Sequence, residues 1–234
     1  MTDYLNIKGL NLAGIKQIRF PDDEYCREKQ TKRQVILHHT VSGDNPTSIA
    51  DDWATRKGKT CTPFIIARDG AIYQLFSSMF WSIHLFFDNK PFERFKIRKS
   101  KRAEIEKQSI GIEMISWGGL VEGHKDNQFI TTYGNVLNYK TEADMLKDIS
   151  YYPDGYRGYN YFQKYTEAQL VSAYQLCHYL MKRYGITHTF DSEMFDISKK
   201  ALEQTPGVWV HSSFRDDKSD CPPQPELIEM LKAL

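Results

Sequence analysis

The stretch that most constrains this chain is Val35-Ile36-Leu37-His38-His39-Thr40, three consecutive aliphatic residues that run straight into two imidazoles. A run this apolar reads as a short buried strand, so the fold must deliver the histidines wherever that strand stops. Far along the chain, behind Val208-Trp-Val, lies His211-Ser-Ser-Phe-Arg-Asp-Asp-Lys218-Ser219-Asp220-Cys221-Pro222. His38, His211 and a Cys or Asp from this second segment are ligand types that zinc takes. Three protein ligands leave one position open, as in a catalytic rather than a structural site. The fold is therefore expected to join two segments nearly as far apart as the sequence allows, and the chain reads first as a zinc hydrolase.

Composition excludes several alternatives. With 234 residues, 41% hydrophobic and 13% aromatic, the chain can bury a sizeable core as one domain. Lys and Arg total 31 against 30 Asp and Glu, a formal net charge of +1, so gross charge does not steer it to nucleic acid or an anionic surface. The cysteines, Cys26, Cys61, Cys177 and Cys221, are irregularly spaced in a chain too long to need staples, which predicts reduced thiols. The N-terminus has no basic region followed by an apolar run, and no stretch is long enough to span a bilayer. Synthesis in the cytoplasm, no stable membrane insertion and a monomer are the expectations.

Residues 1–33 are polar and mixed and read as an arm; residues 34–234 read as the folded unit. After the Gly43-Asp-Asn-Pro46 turn signal, Thr47 is the expected cap of a helix that aligns Ile49, Trp53 and Ala54 on one face. Phe64-Ile-Ile-Ala-Arg68, Asp69-Gly70 and Ala71-Ile-Tyr-Gln-Leu75 form the strongest hairpin signal. Lys90 to Lys107 is basic and reads as a solvated loop or short helix, with a rim for anionic polymer as the sharper alternative. Ser109-Ile-Gly-Ile-Glu-Met-Ile-Ser-Trp117 is an apolar strand with Glu113 embedded in it. Gly118 to Tyr165 reads as loop-rich and aromatic, either a cover over the core or the wall of a groove. Thr166-Glu-Ala-Gln169 starts a capping box before a long amphipathic helix that places Cys177 on the buried stripe. Pro225 opens a short terminal helix.

Taken in order, His-His-Thr ending a strand, the Phe64–Leu75 hairpin, Trp81-Ser-Ile-His84, Ser-Ile-Gly-Ile-Glu113, Tyr165-Thr-Glu-Ala-Gln169 and His211 with Lys-Ser-Asp-Cys-Pro resemble the zinc-dependent N-acetylmuramoyl-L-alanine amidases. That superfamily includes phage lysozyme-amidases, bacterial anhydro-muropeptide amidases and peptidoglycan recognition proteins. The resemblance runs from about Val35 to the C-terminus, with longer insertions after His84 and Gly119 than the smallest members carry. It implies an α/β fold: a single domain with a central mixed β-sheet flanked by α-helices and zinc at the strand ends in a substrate groove.

Carried over residue by residue, the resemblance makes His38 and His211 zinc ligands. For the third it offers Cys221, favoured by the proline after it and by the thiolate's affinity for zinc, with Asp220 as the alternative that the offset of Lys218 fits better. Pro223 replaces the Gly of the family turn. Glu113 matches the family's general base and Lys218 the lysine that stabilises the transition state. His84, Thr62 and His39 are the expected substrate-side residues; Thr62 stands where some phage members place a catalytic Tyr. The implied reaction is hydrolysis of the amide between N-acetylmuramic acid and L-alanine in peptidoglycan or muropeptides. It would act on the cell wall after release, as an endolysin does, or on cytoplasmic muropeptides. The competing class is a non-catalytic peptidoglycan-binding module of the same fold.

Overall fold

Strands form where the aliphatic runs lie, and six of them make the central sheet: β1 (Lys16–Gln17), β2 (Gln34–His39), β3 (Phe64–Ile66), β4 (Ile72–Gln74), β5 (Ser109–Met114) and β11 (Gly207–Val210), in the order β1-β4-β3-β5-β2-β11. The computed structural model describes residues 2–234; Met1, the first residue of the expected arm, lies outside the described residues. β2 runs parallel to both of its neighbours, β5 and β11, whereas β3 and β4 form the antiparallel Asp69-Gly70 hairpin. The sheet is thus mixed, as expected. Every residue of β2 is buried, the condition of a strand covered on both faces.

Side chains alternate across β3. Phe64 and Ile66 join the larger core with Val35, Leu37 and Ile112, while Ile65 joins a second core with Ile115, Leu75 and Phe76. The helices supply the covers. Of α1 (Pro46–Thr55), α2 (Lys90–Arg94), α3 (Lys101–Gln108), α4 (Glu142–Asp148), α5 (Glu167–Tyr184), α6 (Lys199–Leu202) and α7 (Pro225–Ala233), α5 closes the larger core with Leu170, Ala173, Leu176, Cys177 and Leu180, backed by α7. α1 closes the second core with Ile49, Ala50 and Trp53. Each stripe recurs at helical spacing, so burial rather than intrinsic propensity holds the helix.

Capping decides where these helices begin. Thr166 accepts the Gln169 N–H while the Gln169 side chain takes the Thr166 N–H, the reciprocal box expected from the sequence. The Gln169 amide then donates to the carbonyls of Ile66 and Ile115, tying α5 to the ends of the central strands. For α1 the cap is Asn45, not Thr47: the Asn45 side chain accepts the Ser48 N–H at 3.0 Å and Pro46 opens the first turn. Asn is the stronger cap, and proline's fixed φ suits the first helical position.

Two regions depart from the sequence reading. The arm is woven into the body: β1 pairs with β4, and Tyr4 is buried against Tyr174 with ring centroids 5.2 Å apart. The segment expected to be loop-rich is a second, antiparallel sheet of β6 (Gly119–Glu122), β7 (Gln128–Thr131), β8 (Val136–Asn138), β9 (Ile149–Tyr156) and β10 (Tyr159–Gln163), in the order β8-β7-β6-β10-β9. Leu120, Phe129 and Ile149 form one buried cluster in it, and Phe162 is buried against Tyr152, Tyr156 and Tyr159. Its strands are short and mix buried with solvated positions among Gly, Asn and Asp, so none carries an uninterrupted aliphatic run like that of β2. The basic stretch forms α2 and α3, with Lys99 paired to Glu93 and Arg98 to Glu104 at the surface.

Candidate active site

Parallel pairing brings the expected residues together. His38 on β2 is the register partner of Glu113 on β5, and Val210 on β11 is that of Leu37. His211, the residue after Val210, therefore arrives level with His38. His38 Nδ1 lies 3.0 Å from His211 Nδ1, and Asp220 Oδ2 lies 2.8 Å from His211 Nδ1 and 3.3 Å from His38 Nδ1. All three residues are buried, and their candidate ligand atoms fall within 4.8 Å of one another.

Hydrogen bonds behind the cluster set the tautomers. His211 Nε2–H donates to the Leu85 carbonyl at 3.1 Å, which leaves the Nδ1 lone pair facing Asp220 and His38. Behind His38 runs a relay. Ser109 Oγ–H donates to the Glu106 carbonyl, His84 Nε2–H donates to Ser109 Oγ at 2.8 Å, and His38 Nε2–H donates to His84 Nδ1 at 2.8 Å. The Nδ1 of His38 is then also a bare lone pair. Two imidazole lone pairs and a carboxylate converge with no donor among them, an arrangement that a cation or a shared proton must hold together. The donor set, two His and one carboxylate with an open side, fits a catalytic zinc. Burial, and then the neighbouring His211, lowers the His38 pKa to about 4, so the ring is neutral and able to ligate at neutral pH. Burial raises the Asp220 carboxyl, but the His211 and His38 rings beside it outweigh this and hold it well below its ordinary value.

Glu113 is enclosed differently. The residue is partly exposed, yet its Oε2 is shut off from solvent with no hydrogen-bond partner. Burial and the nearby Asp220 charge raise its pKa to about 8, against the pull of Lys218. An enclosed, unpartnered carboxyl with an upward-shifted pKa is what a proton-accepting group in a cleft needs. β5 can approach so closely only because residue 111 is glycine: a Cβ there would sit 2.5 Å from the Thr62 methyl. A cleft of ≈ 910 Å³ opens over the cluster, lined by His38, Glu113, Lys218 and Asp220 and reaching to α1 and the second sheet.

The other expected residues occupy different positions. Thr62 borders the cleft, but its hydroxyl is spent on the Phe64 carbonyl at 3.0 Å. His39 borders it too, with Nδ1 held 3.0 Å from the Tyr165 hydroxyl. Both ring nitrogens of His84 are taken by the relay, so it stands behind His38 rather than free for a substrate. Cys221, favoured as third ligand over Asp220, is fully buried in the larger core. Its φ of +59° turns the chain in the left-handed region just after Asp220, so adjacent side chains diverge, one to the cluster and one to the core.

The family model for N-acetylmuramoyl-L-alanine amidase matches residues 28–224. The chain belongs to that amidase family. Among curated proteins no match is found. Solved structures of similar fold include an N-acetylmuramoyl-L-alanine amidase LysC from Clostridium intestinale URNW, at 16% identity and TM-score 0.48 over 94% of this chain and 95% of that one. A mutant endolysin from Bacillus subtilis matches at 14% identity and TM-score 0.49 over 94% and 96%. The peptidoglycan recognition protein SD of drosophila matches at 12% identity and TM-score 0.37 over 97% and 88%.

Within this amidase, residues that no sequence motif marks hold the cluster from behind. The buried Glu106 carboxylate accepts the backbone N–H groups of His84, Leu85 and Phe86 at 3.0–3.1 Å, which fixes both the relay histidine and the carbonyl that orients His211. Burial raises its pKa to about 7 against those three donors. Lys32, also buried, donates to the carbonyls of Phe80, Lys107 and Ser109. Each lies in a charged, polar stretch, and nothing in such a stretch marks one charge out of many for burial. Among the described residues no helix is long and apolar enough to cross a membrane.

Proposed function

We propose that this amidase hydrolyses the bond between N-acetylmuramic acid and the L-alanine of the stem peptide, in a zinc-dependent reaction with His38, His211 and Asp220 as the metal ligands. The observation that carries the reading is the convergence of two bare imidazole lone pairs and a buried carboxylate beside the unpartnered Glu113 carboxyl, inside one cleft. Asp220 is proposed in place of Cys221 because only its side chain faces the two histidines; Cys221 serves as a packed core thiol. When bound there, zinc supplies Lewis-acid polarisation of the amide carbonyl and acidification of the attacking water.

The chain's own residues do the rest. Glu113 accepts the proton of the attacking water and passes it to the departing alanine nitrogen, the dual role open to an unpartnered carboxyl beside the cluster. Lys218, which borders the cleft, offers a positive charge to the oxyanion that forms on the carbonyl. His84 and Ser109 hold the His38 ring in its ligating tautomer, and Leu85 does so for His211. His39 and Thr62 shape the cleft floor.

Mass spectrometry of intact peptidoglycan and of soluble muropeptides after incubation, with chelator and with zinc restored, tests the proposal. Chelator-sensitive release of stem peptides with a free L-alanine amine is the expected result, and the substrate that reacts faster separates a wall-degrading role from one on cytoplasmic muropeptides. Uncleaved substrate with stoichiometric zinc bound would overturn it and leave a recognition module.

A further inference from the structure

The second sheet is an insertion between β5 and α5, tied to the rest of the chain through Tyr156 and Arg157. Its entry and exit are stitched together: the Gln163 N–H donates to the Gly118 carbonyl at 3.0 Å, Ser116 Oγ donates to the Gln163 carbonyl, and the Trp117 N–H donates to the Gln163 side chain. Nothing in the central sheet requires the 118–163 insertion, yet it reaches the cleft. Trp117, Thr132, Tyr133, Asn135 and Tyr159 line the same cleft as the His38–His211–Asp220 cluster.

These five side chains are uncharged, and three are aromatic. By contrast, α1 contributes the Asp52–Arg56 ion pair to the cleft. The aromatic wall is also held in shape. Residues 132–135 form the tip between β7 and β8, and Thr131 closes it from both ends: its N–H donates to the Asn135 carbonyl at 2.9 Å, its hydroxyl accepts the Asn135 N–H at 3.0 Å, and its carbonyl accepts the Gly134 N–H. Tyr159 stacks on the backbone of Gly119, where a Cβ would lie within 2.7 Å of three ring atoms, and its hydroxyl stands 3.4 Å from Thr132 Oγ1. Tyr133 projects from the tip 72% exposed. Aromatic rings with polar edges beside hydroxyl and amide groups suit a ligand with apolar faces and a hydrogen-bonding rim.

We propose that Trp117, Tyr159 and the Thr132–Asn135 tip form an accessory subsite for the N-acetylated sugars of the glycan strand, next to the muramoyl unit at the cleft centre. Pyranose rings present C–H faces for stacking, and their hydroxyl and acetamido groups match Thr132 and Asn135. An uncharged wall does not compete for the carboxylates of the stem peptide, which leaves the peptide to the charged side of the cleft. The proposal rests on the amidase reading for its ligand, but its test can be read without catalysis.

The zinc-loaded full chain is titrated with N-acetylchitotetraose, a peptide-free probe, by tryptophan fluorescence and calorimetry. Wild type, Tyr133→Ala and Tyr151→Ala are compared; Tyr151 is 60% exposed on the same sheet but does not line the cleft. Saturable binding that weakens about 5- to 10-fold in Tyr133→Ala, the scale of one aromatic contact, and is kept in Tyr151→Ala is expected. In parallel, Tyr133→Ala should lower the ratio of kcat/KM on polymeric peptidoglycan to that on a single-disaccharide muropeptide, through KM. Hydrolysis by an enzyme that binds no tetraose would overturn the subsite alone. So would equal losses in the two variants. Tetraose binding that depends on Tyr133 without hydrolysis of either substrate would support the subsite and remove the amidase reading.

Discussion

The central and inserted sheets differ in how much water they meet. All six residues of β2 are buried and its neighbours run parallel to it, whereas β8 buries none of its residues and most positions of β9 are partly or fully exposed. Parallel strands buried on both faces cannot slip without moving every side chain to the wrong side, so His38, Glu113 and His211 stay in one register. A sheet with so many solvated positions tolerates substitution at its rim. The residues proposed to meet reacting atoms stand on or beside the first sheet, and those proposed to shape access stand on the second. Breaking the chemistry should therefore take one change in the central sheet, while changes in the insert should grade specificity.

The largest effect belongs to the proposed ligands. Asp220→Ala and His211→Ala should each lower turnover by about 10³-fold or more, the scale of removing one member of an interdependent catalytic unit, with zinc lost on dialysis. Cys221→Ser should keep zinc by elemental analysis and most of the activity, because its thiol packs in the core; zinc loss in that variant would return the third ligand to the thiolate.

Glu113→Gln should lower kcat by about 10²- to 10⁴-fold, the range of general acid–base contributions, while retaining zinc. The same variant has a stability signature. In the zinc-free protein the Glu113 pKa is about 8 against an ordinary 4.5, so the fold binds this proton more tightly than the unfolded chain does. That stabilisation is complete below about pH 4.5 and is lost as pH rises through about 8, by a few kcal/mol at ~1.4 kcal/mol per pKa unit. His38 and His39, lowered to about 4 by burial, act in the opposite sense: their stabilisation is present above the ordinary 6.5 and lost as pH falls through about 4. Glu106, raised to about 7, and Lys32, lowered to about 7, titrate in the same range, so Glu113 is isolated by the difference between the melting curves of wild type and Glu113→Gln in chelator between about pH 4.5 and 8, where the wild-type decline should be the steeper. Parallel curves would mean the carboxyl titrates normally.

Smaller losses are expected behind the cluster. His84→Ala should weaken zinc binding about 10- to 100-fold, the usual range for groups that orient a ligand, and nitrogen-15 shifts of His38 should show a mixed rather than a single tautomer. Ser109→Ala should follow in the same direction with a smaller change. Unaltered affinity in both would show that His38 is oriented by packing alone. The mildest effect is that of Tyr133→Ala on the polymer-to-monomer preference.

Much of this arrangement could be read from the chain. The buried strand ending in His38, the Asp69-Gly70 hairpin, the Glu113 strand, the Thr166 box and the Pro225 helix are each written in a few consecutive residues, because periodicity, turn chemistry and capping are local interactions. The second sheet was not legible as strands: its alternation is interrupted by turn residues and its cluster draws on Leu120, Phe129 and Ile149 from three separate strands.

Residue types alone also determined that two histidines and a third ligand from residues 220–221 were available to a metal. Which neighbour turns inward depended on the left-handed φ at Cys221, a backbone angle that the surrounding packing imposes. The tautomers of His38 and His211 depended on partners 46 or more residues away from them, and the burial of Glu106 and Lys32 on carbonyls and amides that only the assembled strands bring near. Local sequence selects elements and candidate chemistry. Long-range packing selects orientation and protonation, because both follow from neighbours that chain order does not specify.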